Sequence, residues 1–132
     1  MTGAAVQFRE AVERRDIAAA SGLLAEDVVF HSPVTFHPFL GRETVTRLLA
    51  EVAQVFEDFH YTDELETDGA HALIFRATVA GKQIEGIDLL RLDENGSIRD
   101  FTVMLRPLSA LIPFAQAMAE RAEREGIETT RV

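Results

Sequence analysis

The chain has 132 residues, enough for one hydrophobic core and too few for two. Its 22 acidic against 13 basic residues give a net charge of −9, and the acids are dispersed rather than blocked. Such a surface repels phosphate backbones and argues against a nucleic-acid partner. The absence of cysteine excludes disulfides, thiolate nucleophiles and cysteine-bound metals, and no apolar run has signal-peptide or membrane-span length. A single domain over 1–132, soluble, cytoplasmic and without a membrane partner, is expected.

In chain order, Ala4 to Arg15 reads as a helix, with Ala5, Phe8 and Val12 on one face. Asp16 is a good N-cap for a short second helix, Ile17 to Ala25. Asp27 to Ser32 reads as a strand ending at Pro33, which biases Ser32 toward extended geometry. Pro33 to Gly41 is a loop with two phenylalanines, too apolar to stand free in water, so it is expected to fold over something. Arg42 to Phe56 is the clearest helix, because Val45, Leu48, Leu49, Val52 and Phe56 complete an apolar stripe. A strand follows from Asp58 to Thr67, in which Phe59, Tyr61 and Leu65 alternate with polar residues. After Asp68-Gly69 comes another, Ala70 to Ala80, with His71, Leu73, Phe75, Ala77 and Val79 on one face.

Gly81-Lys82 turns the chain into the segment Gln83 to Pro107, two strands joined at Asn95-Gly96. That dipeptide predicts a two-residue turn with φ > 0 at both positions. Period-two alternation places Ile84, Gly86, Asp88, Leu90 and Leu92 on one face, where Asp88 is the sole charge. A carboxylate in an apolar row is costly unless it is paired, protonated or functional. The last helix carries Leu111, Phe114, Ala115, Met118 and Ala122. Its regular part is expected to begin near Ile112, since Pro113 is tolerated in a first turn. Gly126 closes it, and Ile127 to Val132 reads as a frayed tail.

The order predicts an α+β fold: a cone-shaped, curved antiparallel sheet with helices packed on its concave face and one open end. Four local features, VERRDIAAASGLLAEDVVF, FHSPV, GRETVTRLL and GIDLLRLDENGSIRDFTVMLRP, resemble the nuclear transport factor 2-like (cystatin-like) superfamily. Within it the chain is similar to the SnoaL-like polyketide cyclases and, more distantly, to ketosteroid isomerase. The scaffold hosts isomerases, cyclases, hydrolases and non-enzymes, so the resemblance implies a fold more than an activity. By motif, the isomerase base position falls on Ser32 and its first-helix tyrosine on Phe8. Further pocket tyrosines fall on Leu24 and Leu49, so only the hairpin acid, Asp88, is kept. In the cyclases the aspartate at that position is the single acid/base. The resemblance implies a ligand pocket lined by Phe8, Leu24, Ser32, Leu49, Leu73, Phe75, Ile84, Gly86, Phe101, Val103 and Leu105 around Asp88.

Burial should raise the Asp88 pKa, suiting it to donate a hydrogen bond to a carbonyl or to shuttle a proton beside one. The bland alternative is an Arg salt bridge or an outward-facing bulge. His31 and His37, flanking Pro33, are candidate acid/base partners, although alternation from Ser32 points His31 the other way and a lone histidine is more often structural. No HxxxH or HxH spacing, phosphate loop or Gly-x-Ser-x-Gly elbow occurs, so neither a metal nor a cofactor is expected. The expected function is cofactor-free acid/base chemistry of cyclase or isomerase type, on a small hydrophobic carbonyl compound. The alternatives are a non-catalytic binding module for a small apolar ligand and an interaction protein whose cone is filled by its own side chains. An apolar outer face with Ile74, Ile87 and Leu89 predicts a homodimer, unless a C-terminal segment covers it.

Overall fold

The computed structural model describes residues 3–127. Helices α1 (Ala4–Glu13) and α2 (Ile17–Ser21) lead into strand β1 (Leu24–His31) and the two-residue β2 (Phe39–Leu40). Helix α3 (Arg42–Val55), strands β3 (Glu57–Thr67), β4 (Ala70–Val79), β5 (Lys82–Leu92) and β6 (Ile98–Arg106), and helix α4 (Leu108–Glu125) complete the order. The strands form one open six-stranded sheet, β2-β1-β6-β5-β4-β3. From β3 to β6 it is the expected antiparallel meander, but β1 joins β6 in parallel, with Phe30 opposite Phe101. The sheet is therefore mixed rather than antiparallel throughout.

Alternation along β4 and β5 matches the expectation: Leu73, Phe75, Ala77 and Val79 are buried, as are Ile84, Gly86, Asp88 and Leu90. On β3 it breaks. The register shifts between Tyr61 and Asp63, and a bulge of one residue sends every later side chain to the opposite face. Leu65, expected beside Tyr61, is therefore 61% exposed on the outer face. Glu64 turns inward instead and meets Arg9 of α1 at 2.6 Å.

The turns also differ in an instructive way. The connection with φ > 0 at both central residues is Ala80-Gly81 (φ 51° and 77°), between paired Val79 and Lys82. At Asn95-Gly96 only Gly96 is left-handed, at φ 82°. Asp93 pairs with Ser97 across a three-residue loop, and its Oδ1 accepts from Asn95 N and Ser97 N, each at 2.9 Å. That side chain supplies the turn bonds, so Asn95 is spared a left-handed conformation.

Helix α2 stops at Ser21, short of Ala25, because Leu23 O accepts from Ile98 N and Leu24 pairs with Ile98, drawing the segment into the sheet. Helix α4 starts four residues before Ile112: Pro107 caps it, its carbonyl accepting from Ala110 N and Leu111 N at 3.0 Å each. Pro113 thus sits in the second turn, at the cost of the bond it would make to Ser109. Ile127, read as part of a tail, is buried. Left-handed Gly126 ends the helix and lets Ile127 N reach Ala122 O at 2.8 Å, folding Ile127 onto the core. The rest of that tail, 128–132, lies outside the described residues.

Two aromatic clusters fill the concave side. Phe101 packs edge-on to Phe8 and Phe30, with centroids 5.4 and 5.1 Å apart. Phe59 stacks on Phe75 at 4.8 Å, and Phe56 on Phe114 at 5.2 Å. Each such pair contributes about 0.5–1.5 kcal/mol beyond its buried area. A space remains between the clusters.

Candidate functional site

The space between the two phenylalanine clusters is a cavity of about 350 Å³. Both clusters contribute to its wall, and Asp88 lies in that wall. Asp88 is 6% exposed and is the one buried charged residue among those described. It stands on β5 between Gly86 and Leu90, so strand alternation aims it inward whatever its hydration cost. Part of that cost is offset by the chain's one tyrosine: the Tyr61 hydroxyl donates to Asp88 Oδ2 at 2.8 Å. No described residue donates to Oδ1.

Two opposing effects set the protonation of this pair. Burial penalises the carboxylate and the Tyr61 bond favours it; burial wins, and the Asp88 pKa is pushed up to about 7. Tyr61 is raised well above its usual value, first by burial and then by the neighbouring Asp88 charge, so it remains a donor throughout. The alternative of an Arg salt bridge is not what the structure holds: no described cation pairs with Asp88. The rim is polar, with exposed Glu13, Arg15 and Asp58 lining the mouth. Arg15 spans part of that rim by donating to Ala53 O at 2.8 Å.

The structure brings Phe8, Leu49, Phe75, Phe101 and Val103 to the cavity with Asp88. Leu24, Leu73 and Ile84 are buried in the packed core and do not reach it. Gly86 and Leu105 support Phe75 from below rather than line the space. His31 points to the outer sheet face, where Nε2 lies 3.2 Å from Asp100 Oδ2. Strand alternation is retained up to the end of β1, which puts Phe30 in the cavity and His31 outside. His37 is exposed and lines no part of the cavity. Ser32 Oγ accepts from Val34 N and Thr35 N at 3.2 Å, shaping the turn after β1. The two candidate partners His31 and His37, and Ser32 at the isomerase base position, are thus away from Asp88, and the partner found, Tyr61, was not among them. The meander order places β3 two strands from β5, and the inward parity of Phe59 and Tyr61 was visible; these were the signals available.

A buried acid in a cavity wall, inside a curved and unclosed six-stranded sheet with four helices, is the arrangement of a cone-shaped α+β fold. The chain belongs to the SnoaL-like domain family, whose profile matches residues 5–101. It is similar to a steroid delta-isomerase from Pseudomonas aeruginosa, at 34% identity over 95% of this chain and 93% of that one, with a TM-score of 0.88. It is also similar to an uncharacterised cystatin-like protein from Silicibacter pomeroyi, at 32% identity over 96% and 89%, with a TM-score of 0.90. A Shewanella denitrificans protein named for the SnoaL-like polyketide cyclases shares the fold, at 15% identity over 92% and 95%, with a TM-score of 0.64. No curated protein matches the chain.

Proposed function

We propose that this protein binds a small hydrophobic carbonyl compound in the Asp88 cavity and performs cofactor-free acid/base chemistry on it, of isomerase or cyclase type. The observation that carries this reading is Asp88 itself, hydrogen-bonded to Tyr61 and poised near neutrality in an apolar wall. Both protonation states are then populated at ordinary pH, which is what a proton-shuttling group needs. As carboxylate, Oδ1 takes the proton from the carbon beside the carbonyl, and the C–H electron pair moves into an enolate. The same proton then returns to the enolate from Asp88 at another carbon. Atoms balance, and nothing is oxidised or reduced. The steroid isomerase relative supports the isomerase type.

One observation favours a second reading, a non-catalytic binding module. His31, His37 and Ser32 lie elsewhere, and the Tyr61 proton is committed to Asp88, so no second described donor stands beside Asp88, Arg15 being at the mouth. In that reading protonated Asp88 orients the carbonyl by donating to it. Deuterium exchange beside the carbonyl of bound decalone, followed by NMR, separates the two. Exchange that disappears in Asp88→Asn supports catalysis. Binding without exchange leaves the binding module, and no binding of either kind removes both.

The same reading includes a homodimer, in the cytoplasm that a cysteine-free chain suits. Outer-face rows Ile74–Ile87–Met104 and Leu65–Ala72–Leu89 would form the contact, and helix α4 packs on the concave side, so it does not cover them.

A further inference from the structure

A second cavity, of about 510 Å³, lies beyond the first, under the turn that follows β1 and between α3 and α4. The two share four wall residues: Phe30 of β1, Pro33, Val52 of α3 and Phe114 of α4. Among the described residues, no charged one lines the second cavity. Its polar lining residues, Ser32 and Thr35, accept bonds from their own turn, Thr35 Oγ1 from His37 N at 3.3 Å. Such a space recognises apolar matter and holds water poorly. The described residues do not fill it, since Phe36 at its edge is fully exposed and Val34 half exposed. The charged groups, in contrast, are all on the Asp88 side.

We propose that the two cavities form one two-compartment site, and that the ligand is an elongated hydrophobic carbonyl compound. Its carbonyl end meets Asp88, and its apolar tail passes the Phe30–Phe114 partition into the second compartment. This rests on the reading of the Asp88 cavity as a carbonyl site and adds the substrate class: a compound with a long apolar extension, rather than one matched to the first compartment alone. The partition is made of side chains from separate elements, β1, α3, α4 and the turn after β1.

The test is calorimetric affinity for a series of decalones bearing alkyl chains of increasing length, with the Asp88 carboxyl followed by NMR. Each methylene that leaves water for an apolar site should tighten binding about fourfold. The wild-type protein should show that gain once the chain outgrows the first compartment. Ala115→Phe, which places a ring in the second compartment only, should abolish the gain while leaving unsubstituted decalone affinity unchanged. Ala119→Leu, at an exposed wall position, serves the same purpose if the larger ring disturbs folding. A flat series in the wild type, with decalone still bound and Asp88 still responding, overturns the second compartment alone. A chain-length gain that persists in both variants overturns it as well. Failure of decalone and every homologue to bind overturns it together with the carbonyl site.

Discussion

Tyr61 reaches past an entire strand to donate its hydroxyl proton to Asp88, β3 meeting β5 across β4 at 2.8 Å. In the sheet register Tyr61 lies opposite Phe75, and Phe75 opposite Gly86, two positions from Asp88 on the same face. With no side chain at Gly86, the Phe75 ring settles low and Tyr61 passes edge-on to it, at 6.1 Å and 88°. Because this bond favours the carboxylate, Tyr61→Phe should move the Asp88 pKa further above about 7. A carboxyl NMR titration reads it. An unchanged or lowered midpoint would show that the bond does not stabilise the charged form.

Asp88 also makes a stability prediction with a defined sign. Its pKa is 3.8 when unperturbed and about 7 in the fold, so the native state keeps a proton that the unfolded chain releases. Stability from this group is therefore greatest below pH 3.8 and falls as pH rises through 7. Asp88→Asn cannot ionise and still accepts from Tyr61. It should equal the wild type in acid and exceed it by on the order of a few kcal/mol at alkaline pH. Thermal melts of both proteins across that window check it. A mutant that unfolds outright would mean that the carboxylate has a structural partner.

Gly86 is required by contact rather than by backbone angle. A Cβ there would collide with Phe75 Cζ and lie 2.6 Å from Leu105 Cδ2 and 2.8 Å from the Met104 carbonyl oxygen. The backbone oxygen cannot yield, so Gly86→Ala should cost about 1–3 kcal/mol. It should also push Phe75 into the cavity, weakening decalone binding. Denaturant melts and calorimetry measure the two effects, and a neutral substitution would show that the wall is pliable.

The outer sheet face predicts assembly. Met104 is 49% exposed and Leu65 61%, at opposite sides of the apolar rows. Sedimentation should give twice 14.6 kDa for the wild type and 14.6 kDa for Met104→Lys, because two lysines would face one another across a two-fold axis. A wild-type monomer at micromolar concentration would remove the proposed dimer.

The helices and the meander were legible in the sequence because their signals are local. The stripe on α3 and the alternation on β4 and β5 each follow from a repeat that one element must bury on one side. The misfit of Asp88 was legible for the same reason, since parity alone puts it among Ile84, Gly86 and Leu90. What the local pattern did not contain was any contact between distant strands. The bulge in β3 that turns Leu65 out and Glu64 in, the parallel seat of β1 on β6, and the choice of Tyr61 over His31 as partner of Asp88 all depend on register. Register is decided by pairing across the whole sheet, where a slip of one residue exchanges the inner and outer faces. Local pattern was enough for a curved α+β frame with one buried acid. Tertiary pairing decided which hydroxyl holds that acid, and how much space the phenylalanines leave beside it.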